Sequence, residues 1–236
     1  MKNKVVWVTG ASSGIGKAIA EKFSKEGCIV VVTARRKSRL DGIVKGIRLT
    51  GGEATALVCD VSSEQSVFST AETIRGKCGT IDVLINNAGS TVFKSFLDTS
   101  TKDYDNVIDT NLKGPFLCMK AVLPQMIKRK TGFIINILSV AANTTFENSS
   151  VYSASKAGLQ AMATCIRKEV RKHNIKICNI YPGAVETDMW DSKARQQFRN
   201  RMMSPADIGE VTFDVYNKPE RLMIEDLVVR PVGGDL

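Results

Sequence analysis

The sequence predicts an α/β protein built on a doubly wound parallel sheet with helices on both faces. Three observations predict it. Short runs rich in Val and Ile alternate from end to end with longer amphipathic stretches, the order expected of strand, helix, strand. The short runs are continuously apolar instead of alternating, as strands covered on both faces are. A glycine-rich segment joins the first run to the first amphipathic stretch, where a strand must turn sharply into a helix.

Seven runs read as strands: Val5 to Thr9, Cys28 to Thr33, Ala54 to Cys59, Ile81 to Ile85, Phe133 to Leu138, Ile175 to Ile180 and a closing Asp226 to Arg230. Each is β-branched and too short for a helix of ordinary length. Between them, apolar residues at helical spacing mark stretches near Ile15 to Glu26, Arg39 to Leu49, Glu64 to Cys78, Tyr104 to Lys128 and Ser150 to His173. No repeat, low-complexity tract or linker interrupts the alternation, so the 236 residues are expected to form a single domain, 1–236. No apolar run approaches the roughly 20 residues a membrane helix needs. The opening Met-Lys-Asn-Lys leads straight into the first strand and leaves no room for a secretory core, so a cytoplasmic location is expected.

Composition narrows the chemistry. The six cysteines contain no Cys-x-x-Cys pair and lie in apolar runs, so they are expected to be buried thiols. The one histidine, His173, lies among Arg171, Lys172 and Asn174. No metal site or histidine triad is expected. The net charge of +9 attracts anions. It is divided among clusters at 35–39, 128–130 and 167–172, and aromatic residues make up only 6%. Nucleic acid, which would want aromatics interleaved with basic residues on one face, is not an expected partner.

In a doubly wound sheet the ligand lies beyond the carboxyl ends of the strands, and the residues there are unusual. After the first strand comes Thr9-Gly10-Ala11-Ser12-Ser13-Gly14-Ile15-Gly16. Its glycines let backbone approach a pyrophosphate, whose charge meets free N–H groups at a helix N-terminus. The Rossmann-type fold is thereby indicated. The second strand ends in Arg35-Arg36, where an NAD-binding chain would place an acid on the ribose 2′-hydroxyl. An arginine pairs instead with a 2′-phosphate. NADP is favoured over NAD, with Arg36 assisting and Ser12 or Ser13 as hydroxyl donors. Asp60-Val61 either meets the adenine or caps the following helix. Asn86-Asn87-Ala88-Gly89 is small and amide-rich, suited to close packing against a nucleotide or to a simple turn.

Tyr152-Ser153-Ala154-Ser155-Lys156 opens a helix, and the spacing of four stacks Tyr152 and Lys156 on one face. An ammonium beside a phenol stabilises the phenolate and lowers its pKa. Ser139 follows the fifth strand and faces the same crevice.

Together these residues resemble the short-chain dehydrogenase/reductase family over nearly the whole chain. Thr9 to Gly16 looks like its cofactor loop, and Asn86 to Gly89 like its Asn-Asn-Ala-Gly signature. Asn111 in Asn-Leu-Lys-Gly, Ser139, Tyr152 and Lys156 match its catalytic tetrad. Pro182-Gly183, with Val185 and Thr187, resembles the segment that contacts the nicotinamide carboxamide. The resemblance implies hydride transfer between nicotinamide C4 and a carbonyl or alcohol carbon. Tyr152 would be the general acid or base. Lys156 would lower its pKa and bind the nicotinamide ribose, Ser139 would polarise the carbonyl, and Asn111 would hold a relay water.

Val185-Glu186-Thr187-Asp188-Met189 looks most like the 3-oxoacyl-(acyl-carrier-protein) reductase branch. That likeness implies a carrier-tethered substrate and an acidic carrier protein met by Lys128, Arg129, Arg171 and Lys172. Homo-oligomers are implied as well, through the two long helices and the last strand. The shortened end after Ser204-Pro205 leaves both dimer and tetramer open. The segment at about 189–203, expected to cover the substrate, is polar and basic, which predicts an open site for a small or tethered carbonyl. Trp190, Phe93, Phe96 and Phe146 lie near predicted strand ends, where they line the substrate side or pack in a core or interface. The alternatives to this reading are a carbonyl, sugar or alcohol dehydrogenase of other specificity and a non-catalytic dinucleotide-binding regulator.

Overall fold

The computed structural model describes residues 3–235; Met1, Lys2 and Leu236 of the expected single domain lie outside them. Seven strands form one sheet: β1 (Val5–Thr9), β2 (Ile29–Ala34), β3 (Glu53–Val58), β4 (Ile81–Asn86), β5 (Gly132–Ile137), β6 (Ile175–Pro182) and β7 (Asp226–Val229). Their order is β3-β2-β1-β4-β5-β6-β7, and every neighbouring pair is parallel. The chain reverses its direction of travel between β1 and β4. The crevice beyond their carboxyl ends is therefore where a doubly wound sheet binds ligand.

The helices are α1 (Gly14–Lys25), α2 (Lys37–Leu49), α3 (Glu64–Cys78), α4 (Thr101–Ile108), α5 (Gly114–Arg129), α6 (Ser150–Val170), α7 (Ser192–Phe198) and α8 (Pro205–Tyr216). Two cores lie on opposite faces of the sheet. One gathers Phe23 of α1, Leu40 and Ile47 of α2 and Phe213 of α8 against Val30, Ile85 and Ile135. The other gathers Ile74 of α3, Met126 of α5 and Leu159 of α6 against Trp7, Leu84 and Ile134. Each such side chain, wholly buried, contributes about 1.5–3 kcal/mol relative to exposure. Trp7 is completely enclosed, and its indole N–H donates to Thr33 Oγ1 at 3.0 Å, so no polar atom of the ring is stranded.

Three points differ from expectation. The stretch from Tyr104 to Lys128 is not one helix: α4 passes through a π-helical turn, Asp109–Lys113, into α5, with Pro115 in the first turn of α5. Helix α8 was not foreseen, although Ser204 and Asp207 form a reciprocal capping box with Pro205 in the first turn. Its apolar residues complete the core over α1. The cysteines are all free thiols, but only four are buried; Cys78 is half-buried and Cys165 is exposed on α6. No helix among the described residues is long and apolar enough to cross a membrane.

One polar row crosses the interior. Asn86, Asn136, Asn179 and Asp226 occupy paired positions on β4, β5, β6 and β7. Asn86 Nδ2 donates to Asn136 Oδ1 at 2.9 Å, Asn136 Nδ2 to Asn179 Oδ1 at 2.9 Å, and Asn179 Nδ2 to Asp226 Oδ1 at 3.0 Å. Arg167, buried on α6, closes the row by donating to Asp226 Oδ2 at 3.0 Å and to Ile177 O at 2.8 Å. Burial alone would raise the Asp226 pKa, but hydrogen bonds from Tyr181, Arg167 and Asn179 outweigh it and hold the carboxyl below its ordinary value.

Candidate active site

A cavity of about 820 Å³ opens at the carboxyl ends of the strands. Of the site residues expected from sequence, it is lined by Gly10, Ser12, Ser13, Gly14, Ile15, Gly16, Arg35, Arg36, Asp60, Val61, Asn87, Ala88, Gly89, Ser139, Tyr152, Lys156, Pro182, Gly183, Val185 and Thr187. Asn111 alone stands behind the wall.

The end over β1 is held by backbone geometry. Gly10 has φ +63°, and a Cβ there would lie 2.5 Å from Ala88 Cα; at Gly16 a Cβ would meet Asn87 Nδ2 at 2.4 Å. Only glycine fits either place. Asn87 Nδ2 donates to Thr9 O at 2.9 Å and Gly10 O at 3.2 Å, while Thr9 Oγ1 accepts from the N–H groups of Asn87 and Ala88 at 3.0 and 3.1 Å. Thr9, which opens the expected cofactor loop, is the stitch between the two loops. This cradle, with the start of α1 at its edge, suits the pyrophosphate of a dinucleotide.

Arg35 and Arg36 are exposed at the rim beyond β2, and Arg36 donates to Ser12 Oγ at 3.1 Å. Asp60 lies opposite. Its Oδ1 accepts from the Ser62 hydroxyl at 2.7 Å and the Ser62 N–H at 3.0 Å. The Ser62 hydroxyl, with a smaller contribution from the Arg35 guanidinium, holds this carboxyl below its ordinary pKa against the opposing effect of burial. Ser63, not Asp60, caps α3 by accepting from Ser66 N, so Asp60 is free of the capping role and remains a wall of the cavity.

At the other end, Ser139 terminates β5 and caps a short turn, with its Oγ accepting from Ala141 N at 3.1 Å. Tyr152 and Lys156 project from the first turns of α6, both largely enclosed. Lys156 Nζ donates to Ile137 O at 2.9 Å and lies 5.7 Å from the Tyr152 ring centroid. Burial lowers the Lys156 pKa to about 8. Burial also pushes the Tyr152 phenol above its ordinary value, against a hydrogen bond with Ser139 that lowers it. Desolvation is the dominant influence on this phenol, because it is almost wholly enclosed.

Asn111 sits in the π-helical turn and is fully buried. Its Oδ1 accepts from Ser90 N at 2.8 Å, and its Nδ2 donates to Ser90 O at 2.8 Å and Ser155 Oγ at 3.0 Å. The side chain clamps the strand-β4 loop to α6, directly behind Tyr152 and Lys156. Thr91, Asn106, Thr110, Asp188, Met189 and Trp190 complete the wall near this end. Thr91, Asn106 and Thr110 were not singled out from sequence; the i, i+4 spacing of Asn106 and Thr110 just before Asn111 was the one local signal. Phe93, Phe96 and Phe146 are not part of the wall; Phe96 is largely exposed, and Phe93 packs beside Tyr152 and Trp190.

A nucleotide cradle at a sheet's switch point, joined to a serine beside a buried Tyr and Lys, defines a dinucleotide-dependent oxidoreductase. Residues 4–197 match the family model described as short chain dehydrogenase, and the chain belongs to the short-chain dehydrogenase family. It is 34% identical over 239 residues to a sepiapterin reductase from Chlorobaculum tepidum, covering 98% of each chain. Among solved structures it is similar to a metagenomic short-chain oxidoreductase in complex with NADP, with a TM-score of 0.87, 34% identity and 98% of both chains covered. It is also similar to a variant of the actinorhodin polyketide ketoreductase with NADPH, with a TM-score of 0.90, 29% identity, and 97% of this chain and 96% of the other covered.

Proposed function

We propose that this chain is an NADP-dependent reductase of small-molecule carbonyls, with Tyr152 as its general acid. The observation that carries the reading is the cluster of Ser139 with the buried Tyr152 and Lys156 at one end of a cavity whose other end presents Arg35 and Arg36. The solved relatives that hold NADP or NADPH support the choice of cofactor.

NADPH, when bound, supplies the hydride that adds to the carbonyl carbon. Arg35, with Arg36, holds the 2′-phosphate, and the Gly10 to Gly16 loop receives the pyrophosphate. The hydroxyls of Ser139 and Tyr152 bond the carbonyl oxygen and polarise it. As the C–O π pair moves onto that oxygen, the Tyr152 proton passes to it, leaving alcohol and a phenolate. The raised Tyr152 pKa serves this direction, because the phenol stays protonated at neutral pH yet is far more acidic than the alcohol that forms. Lys156, mostly ammonium at neutral pH, stabilises the phenolate until solvent returns a proton. With its side chain committed to Ser90 and Ser155, Asn111 acts on a relay water through its main chain, in a π-helical turn where regular carbonyl pairing is interrupted.

The arrangement favours a free substrate over a carrier-tethered one. Arg129 is held by Asp82 at 3.0 Å and Ile81 O at 2.8 Å, and Arg171 is paired with Glu225. Lys128 and Lys172, like these two, lie where α5 and α6 end, at the amino ends of the strands and away from the cavity at their carboxyl ends. A carrier bound there would have to serve the cavity of another chain.

Loss of NADPH absorbance with 2,3-butanedione tests the reading. Tyr152→Phe should lower kcat by about 10²–10⁴-fold while NADPH binding, followed by fluorescence, persists. Full turnover in that variant would overturn the role of Tyr152, and turnover with NADH alone would overturn the cofactor.

A further inference from the structure

We infer that Ser155 is a positioning residue: its hydroxyl pins the Asn111 amide to the backbone of Tyr152 and so fixes how the proton-handling groups stand relative to one another. The inference rests on the proposed reductase reading and adds to that site a residue outside the cavity wall.

Ser155 is fully buried and does not line the cavity. Its Oγ lies 2.7 Å from Tyr152 O and 3.0 Å from Asn111 Nδ2. A carbonyl only accepts, so the one hydrogen of the hydroxyl is spent on Tyr152 O. The same oxygen can then only accept from Asn111, and the part of that amide facing α6 must be its NH2. Ser90 imposes the same orientation from the other side, its N–H donating to Asn111 Oδ1 at 2.8 Å and its carbonyl accepting from Nδ2 at 2.8 Å. Both amide hydrogens are thereby used. A flipped amide would set donor against donor at Ser90 N and oxygen against oxygen at Ser90 O.

The backbone is shaped for this contact. Asn111 belongs to the π-helical turn Asp109–Lys113, and that turn lies close on α6: a Cβ at Gly158 would come within 3.2 Å of Leu112 Cδ2. Ser155 and Gly158, three residues apart, share one face of the helix and keep it low enough for the turn to settle there. Tyr152 O takes the Lys156 N–H in a regular helix and the Ser155 hydroxyl as well. A Cβ at Gly89 would lie 3.7 Å from Asn111 Oδ1 and 3.9 Å from Lys156 Nζ, so the amide and the ammonium flank the same loop residue. One hydroxyl therefore joins the first turn of α6 and the Asn111 turn into a single body. None of its bonds reaches the cradle over β1 or the arginines beyond β2.

Alanine at this position keeps the helix, since it is the strongest helix former. It leaves one Asn111 N–H without an acceptor in a place closed to water. The amide must turn or the π-helical turn must shift, and misplacement of a positioned group by about 1 Å can cost on the order of 100-fold in rate. Cofactor affinity, set at the other end, is untouched.

The test is reduction of 2,3-butanedione by NADPH, with kcat counted per NADPH-binding site so that unfolded protein does not enter the rate. Ser155→Ala should lower kcat about tenfold or more, with NADPH Kd and substrate KM within about threefold. Leu159→Val, one turn along α6 in the apolar core, controls for lost packing: Tm should fall while kcat per site stays within about twofold. In an Asn111→Ala background, Ser155→Ala should change kcat by less than about twofold, because the hydroxyl acts through the amide already removed. An unchanged kcat in Ser155→Ala, a loss carried by KM or NADPH binding, a loss matched by Leu159→Val, or equal losses in both backgrounds overturns the positioning role and leaves the reductase reading standing. Absence of NADPH oxidation by the wild type, in protein shown to bind NADPH, overturns the reductase reading, and the positioning role falls with it.

Discussion

Over β1, one threonine hydroxyl receives two backbone N–H groups and one asparagine amide binds two carbonyls, so the cradle loops are locked to each other with no side chain to spare. Around Trp190 the opposite holds: aromatic rings stand partly in water, and the Thr91 hydroxyl has no partner among the described residues. The two ends of one cavity thus differ in what is left unsatisfied. Where the ligand is met by backbone, the protein must be finished before the ligand arrives, since a misplaced N–H cannot be corrected by a rotamer. Where a ligand is met by side-chain faces, rotamers can adjust to it, so the wall need not be complete beforehand. Affinity for a common cofactor and selectivity for a particular substrate call for these different solutions.

The sharpest way to break the contrast is to place a side chain in the cradle. Gly16→Val puts methyl groups where Asn87 Nδ2 and Gly10 O already lie. The NADPH Kd should rise more than about 100-fold, as expected when backbone contact is lost over several hydrogen bonds. Titration of NADPH fluorescence checks this; near-normal binding would show that the loop is more pliant than its packing indicates.

Charge at the rim comes next. Arg35→Glu replaces a phosphate partner with a repelling group, and NADPH should bind about 10–100-fold more weakly, the equivalent of about 1.5–3 kcal/mol for a charge-assisted bond. NADH should change far less. Equal losses for both cofactors would remove Arg35 from the discrimination.

Stability measurements sharpen the same contrast. Asn87→Ala strands the carbonyls of Thr9 and Gly10 and should cost about 1–3 kcal/mol in urea unfolding. Phe93→Leu, at a half-open face, should stay within about 0.5 kcal/mol. If the two substitutions cost the same, the substrate end is as tightly built as the cradle.

The smallest expected effect is a slope with pH. The folded Lys156 pKa of about 8 lies below its ordinary 10.5. Between those values the unfolded chain carries the proton and the folded chain does not, so stability rises with pH across the window and is flat below it. The Tm difference between wild type and Lys156→Met should therefore shift in favour of wild type from pH 8 toward 10. A difference independent of pH would place the Lys156 ammonium in better solvation than its burial indicates.

The alternation of strands and helices, the cradle and the Tyr152–Lys156 pair were legible in sequence because each rests on local spacing: short apolar runs between amphipathic ones, glycines at a strand-to-helix turn, four residues along one helix face. What escaped is non-local. Thr9 meets Asn87 across 78 positions, and Asn111 reaches Ser155 across 44; nothing in either neighbourhood announces the partner. The meeting of Phe93 with Trp190 belongs to the same class, each being an ordinary exposed aromatic until the fold joins their loops. Helix α8 is a different case. Its capping box is local and readable, but a helix of twelve residues without strong periodicity is easily passed over. The depth of Tyr152 and Lys156 was not legible either, because spacing gives proximity and says nothing of how fully both groups are enclosed.

The polar row beneath the cavity has a consequence for how the chain finds its fold. Parallel strands of Val and Ile are nearly interchangeable, and sliding one past its neighbour by two residues still buries apolar surface. Such a slip at β5 would strand the amides of Asn86 and Asn179 against hydrocarbon, and at β7 it would carry Asp226 away from Arg167. Four in-register polar residues thereby act as a check on alignment, rejecting mispaired sheets whose hydrophobic content alone would pass.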